Sequence, residues 1–153
     1  MAGSTIHCSD FVRRLADLSV SLLIVLFCYA AVSKLISFEL FRQQMRNQTI
    51  PAEAAEILVY LLPALEIITA GLLIHPFTRR SGLAASAVLM LAFSGYIALV
   101  LLGFWDRVPC SCGGILGGLG WGTHLVFNLF FLGTALFALI KQNTGEAENL
   151  RKE

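Results

Sequence analysis

Four long runs without formal charge constrain this chain more than any other feature. They cover Leu18–Ser33, Ile57–Leu65 continued by Ile67–Pro76, Ser81–Trp105 and Gly113–Ile140, and about 20 apolar residues suffice to cross the hydrocarbon core of a bilayer. Lipid offers backbone amides no hydrogen-bond partner, so runs of this length read as helices; barrel strands would be about half as long and would alternate. With 57% hydrophobic and 14% charged residues among 153, the chain lies outside the range of an ordinary soluble domain. The expected fold class is all-α: an integral membrane four-helix bundle over residues 15–140, with a polar segment 1–14 before it and a charged, frayed tail 141–153 after it. A net charge of +1 and the lack of a basic cluster interleaved with aromatics exclude a nucleic-acid-binding surface.

The first span is expected over Leu15–Ile36. Arg13 and Arg14 before an apolar stretch also suit a signal peptide, with Ala31-Val32-Ser33 as weak cleavage residues, but the stretch continues through Lys34-Leu35-Ile36. Lys34 near a helix end is expected to snorkel to the interface. In Ser37–Ile50, Phe38, Phe41 and Met45 recur at helical spacing opposite Glu39, Arg42, Gln43 and Arg46, which predicts a short helix lying in the membrane interface. Pro51 opens the second span, which ends at His75-Pro76; the third runs from Gly82 to Trp105 and the fourth from Gly120 to Ile140. Arg13, Arg14, Arg79, Arg80, Lys141, Arg151 and Lys152 fall on one side, against Lys34, Arg42, Arg46 and Arg107 on the other. That bias places both termini in the cytoplasm and the connection between the last two spans outside it.

This connection holds Cys110-Ser111-Cys112 among Gly113, Gly114, Gly117 and Gly118, and Trp105 and Trp121, the two tryptophans of the chain, bracket it at headgroup depth. One intervening residue lets two thiols close a small strained ring, and strained disulfides are the exchange-competent ones. Three uses remain open: a redox pair, two ligands of a metal that lacks further donors, or a structural staple of slight entropic value. Arg107 favours a thiolate and Asp106 opposes it, so the attacking sulfur stays unassigned.

Glu66 falls near the middle of the second span, where a carboxylate must face protein or water; Tyr96, Ser94, Asn128 and a carbonyl freed by Pro63 are its candidate partners. His124 and Asn128, four apart, share one face of the fourth helix beneath the cysteine loop. With Glu66 they are candidates for lining a polar pocket, or for binding a quinone as electron sink, Asn128 serving alternatively as interhelical glue. Cys28 offers another, inward electron route, while Cys8, His7 and His75 read as bystanders. No metal site is expected.

Ser33-Lys34-Leu35 followed by Phe38 and Phe41, Glu66 and Gly71, Cys110-Ser111-Cys112-Gly113-Gly114, then Gly120-Trp121 and Asn128 form a combined pattern. It resembles the MauE/DoxX-type redox-associated membrane proteins across nearly the whole four-helix core. The resemblance implies a bacterial inner-membrane protein that exchanges disulfides or electrons with an extracytoplasmic thioredoxin-like partner; in methylamine utilisation MauE is needed, with a thioredoxin-like partner, to produce a dehydrogenase whose small subunit is rich in disulfides. Cys110 and Cys112 are then the catalytic residues of a thiol-disulfide oxidoreductase. Two rivals stand beside this reading: a non-enzymatic membrane assembly factor whose loop is a docking surface, and a small transporter dependent on Glu66.

Overall fold

A computed structural model of the protein describes the backbone of residues 3–105 and 120–150, and the side chains of residues 11–105 and 120–144. Cys110, Cys112 and the glycines between 113 and 118 lie outside the described residues, and of Cys8 only the backbone, in α1, is described. Among those described there are five helices and no strand: α1 (Gly3–Ile36), α2 (Phe38–Arg46), α3 (Ala52–Ile74), α4 (Arg79–Leu101) and α5 (Trp121–Leu150). Four of them, α1, α3, α4 and α5, contain stretches long and apolar enough to cross a membrane.

Helix ends and lipid-compatible ends do not coincide. α1 starts at Gly3 and α5 continues to Leu150, beyond the expected limits at Leu15 and Ile140, because the flanking polar residues include no proline and several good helix formers, among them Lys141, Gln142, Glu146, Ala147 and Glu148. The tail is therefore helical through residue 150. α4 in contrast stops at Leu101, four residues before the expected end at Trp105. Gly103 adopts φ +70, its N–H donates to Val100 O at 3.1 Å, and Phe104 N–H donates to Leu99 O at 3.1 Å. This paired closure needs a left-handed residue and occupies the carbonyls of Leu99 and Val100.

The bundle is closed by α1 on α3, α3 on α4, α4 on α5 and α5 on α1. Its two halves are filled differently. Towards the chain termini, Leu23 and Phe27 of α1, Leu73 of α3, Leu83 of α4, and Phe131 and Ala135 of α5 form one continuous buried core. Small residues let backbones approach here, as membrane interfaces favour. At Gly82 an added Cβ would fall 2.8 Å from Leu73 N and 2.9 Å from Leu72 C. Backbone cannot yield as a side-chain tip does, so Gly82→Ala is expected to lower unfolding stability by about 1–3 kcal/mol. Gly71→Ala, whose added Cβ meets nothing within 4 Å, is the matched control; equal unfolding curves for the two variants in detergent would refute the assignment.

α2 keeps the apolar face read from its spacing, and that face meets protein. Phe41 and Met45 are buried together with Val59 and Leu62 of α3, Phe38 packs on Tyr60 at 5.5 Å, and Arg42 and Arg46 both reach Glu56. These contacts fall in antiparallel order, so α2 prolongs the direction of α1 along the first turns of α3. Only Ser37 interrupts the helical path: its N–H donates to Ser33 O at 3.2 Å and its carbonyl accepts from Phe41 N–H at 2.9 Å.

Candidate functional site: a polar-ended cavity beneath the cysteine connection

The near-continuity of α1 and α2 decides where Lys34 sits. Because α2 runs beside the start of α3, the end of α1 comes level with Glu66, 14 residues or about 21 Å into α3 at the helical rise. Lys34 Nζ donates to Glu66 Oε1 at 2.7 Å and to Ala30 O at 3.3 Å, and it stands 5.8 Å above the Phe41 ring. The two side chains are 17% and 3% exposed. Lys34 therefore does not snorkel to the interface, and Glu66 pairs with none of the partners expected for it from sequence. A lysine inside an apolar stretch, one span away from a lone glutamate, was the available signal, and its position near a helix end concealed it.

Around this pair the loop-bearing half of the bundle is hollow. A cavity of about 770 Å³ is lined by all five helices, and its polar lining includes Lys34, Glu66, Gln48, Tyr96, His124 and Asn128. The three residues singled out from sequence as a pocket, Glu66, His124 and Asn128, thus line one space. Most of the remaining lining is apolar, with Phe27, Phe41, Phe93 and Phe127 among it. On the side of α1 and α2 the lining residues Tyr29, Val32, Ile36 and Leu40 are also exposed, so the cavity opens laterally, towards where lipid would lie.

Two buried polar atoms in this wall have no hydrogen-bond partner: Glu66 Oε2 and Asn128 Nδ2. Buried polar groups are nearly always paired, by protein or by a bound molecule. The Asn128 amide nitrogen therefore donates to no neighbouring helix. Ser94 Oγ is likewise unpartnered but does not line the cavity.

The top of the cavity is held by Tyr96. Its hydroxyl donates to Gln48 Oε1 at 2.6 Å and lies 3.4 Å from Thr49 Oγ1, joining α4 to the segment after α2. Its ring packs on Trp105 at 5.6 Å and on Trp121 at 6.5 Å between centroids. Trp105 and Trp121 are the last and nearly the first described residues on either side of the cysteine connection, so that connection leaves and re-enters the fold at a single tyrosine. Sequence reading had made Tyr96 a partner for Glu66. Further out on the α2–α3 seam, Arg42 is held above its ordinary pKa by hydrogen bonds to Glu56 and then by the charge of that carboxylate.

Comparison with known families decides the kinship. Residues 12–141 match the family model described as methylamine utilisation protein MauE. The chain belongs to the MauE family. The match takes in every cavity residue and the whole cysteine connection, and with four membrane-length apolar helices it marks a multi-pass membrane protein. No curated protein and no solved structure matches the chain. Within this MauE-family scaffold Cys28 is exposed on α1 and does not line the cavity. His75 is exposed beside Phe77. No cluster of three His, Cys, Asp or Glu able to hold a metal occurs among the described residues.

Proposed function

We propose that this MauE-family protein is a membrane thiol-disulfide oxidoreductase whose Cys110/Cys112 pair exchanges disulfides with an extracytoplasmic thioredoxin-like protein, serving the maturation of disulfide-containing secreted proteins. The reading is supported above all by the convergence of the two ends of the cysteine connection on Tyr96, at the top of a cavity that opens towards lipid. Cys110 is five residues from Trp105, so extended chain limits its distance from that anchor to about 17 Å. In the exchange, a thiolate attacks one sulfur of the partner's disulfide, a mixed disulfide forms, and the second cysteine resolves it.

The cavity supplies the second half of the cycle. A quinone entering from the bilayer fits a largely apolar space with a few converging polar groups, and it accepts the two electrons and two protons released when the dithiol closes. Asn128 and neutral His124 are the donors for its ring oxygens, and the Glu66 carboxylate becomes a partner once a ring oxygen carries a proton. The ion pair with Lys34 speaks against the transporter alternative, because Glu66 is engaged rather than free to carry a proton.

Single Cys110→Ser and Cys112→Ser variants, expressed in cells that need the protein, are expected to accumulate a reducible adduct with one extracytoplasmic partner. Alkylation mass-tagging of intact cells is expected to report both thiols as reachable from outside. If neither variant traps an adduct and both complement normally, the connection is a docking surface and the redox reading fails.

A further inference from the structure

The two unpartnered atoms in the cavity wall have opposite hydrogen-bonding sense. Glu66 Oε2, on a side chain 3% exposed, is an acceptor, because its twin Oε1 takes the Lys34 ammonium at 2.7 Å in the geometry of an ammonium on a carboxylate. Asn128 Nδ2, on a residue 5% exposed, is a donor. A hydroxyl carries both senses, a proton for an acceptor such as Glu66 Oε2 and an oxygen for a donor such as Asn128 Nδ2. A carbonyl oxygen answers only Asn128 and leaves Oε2 unmet. His124, half-buried in the same wall, carries one donor and one acceptor when neutral and serves either form.

We propose that the cavity is a site for a hydroquinone: it binds the quinol form of a membrane quinone more tightly than the quinone, with Glu66 taking the hydroxyl proton in a hydrogen bond and Asn128 donating to the hydroxyl oxygen. This deepens the reading given above and rests on a quinone being the dithiol's electron acceptor. Binding preference then sets direction. Closing the disulfide breaks two S–H bonds and forms one S–S bond, while two electrons and two protons pass to the ring oxygens. A site that holds the reduced ring tighter raises the potential of the bound couple, by about 30 mV for each tenfold of preference. Electrons are drawn from Cys110 and Cys112 to the ring, and the protein hands its disulfide outward to its partner.

The test uses the full chain in lipid nanodiscs carrying Cys110→Ser with Cys112→Ser, so that no turnover alters the ligand. A short-tailed benzoquinone and its quinol, kept anaerobic, are titrated by quenching of tryptophan fluorescence. The quinol is expected to bind at least about tenfold tighter, the worth of one buried hydrogen bond to a charged group. Glu66→Gln, whose amide donates as well as accepts, is expected to bring the two affinities together, while Asn128→Leu weakens both forms alike. Equal affinities, tighter quinone binding, or no binding of either form to the protein with Glu66 and Asn128 intact would overturn the inference, whatever the substituted forms do. Adduct trapping by the single cysteine variants is scored separately, so a failure of exchange and a failure of quinol selectivity are read from different experiments.

Discussion

Replacing Lys34 by Met is expected to destabilise the protein by about 3–5 kcal/mol, and Glu66→Leu by a similar amount, because each change strands the other charge inside the bundle. The geometry that carries this expectation is the 2.7 Å contact between side chains 17% and 3% exposed. A surface pair would contribute far less, the usual range for exposed ion pairs being about 0–1 kcal/mol. Replacing both together removes the stranded charge, so the double variant Lys34→Met with Glu66→Leu is expected to recover most of the lost stability. Denaturant unfolding of the four forms in one detergent gives the coupling energy directly. Additive losses, with the double variant as weak as the two singles combined, would show that the pair is not coupled. Recovered folding should not restore quinol preference, since the acceptor has gone.

Tyr96 carries the second large effect. Tyr96→Phe leaves the ring contacts with Trp105 and Trp121 and removes the hydroxyl that donates to Gln48 Oε1, a cost of about 0.5–1.5 kcal/mol. Tyr96→Leu also removes two aromatic contacts, worth about 0.5–1.5 kcal/mol each, so its loss is expected to total about 1.5–4.5 kcal/mol. The functional readout separates the two. Exchange with the partner is expected to fall in Tyr96→Leu beyond what its unfolded fraction explains, because both anchors of the cysteine connection are released, and to stay near normal in Tyr96→Phe. Identical exchange rates per folded molecule would refute the anchoring role.

The spans, the amphipathic face of α2 and the need of Glu66 for protein surroundings were all legible as one-dimensional patterns. Hydropathy reports where lipid can begin and end, and on that it was informative. It does not report where hydrogen bonding stops, which is why α1 and α5 outrun their apolar stretches and why Gly103, one glycine among thirteen, ends α4 early. Depth was the harder quantity. Lys34 reads as an interface residue so long as α1 is taken to end at the membrane surface, and becomes the partner of Glu66 once α2 is stacked on α1 and laid along α3. That is a tertiary fact written in Phe41, Met45, Val59 and Leu62 jointly. His124 and Asn128 were found because they share a helix face; the partnerless state of Asn128 is visible only when all its neighbours are in place.

The pairing of Lys34 with Glu66 also has a consequence for biogenesis. The residues are 32 apart in sequence, so the lysine is synthesised first, and at about 5–20 residues per second the glutamate follows roughly two to six seconds later. Lys34 stands two residues before the end of α1, where a lone lysine opposes release into lipid by less than the roughly 2.5–3.5 kcal/mol it costs at a span centre. The remaining cost is relieved once α3 brings Glu66 to the lysine, so α1, α2 and α3 are expected to settle in the bilayer as a single hairpin with their charges matched.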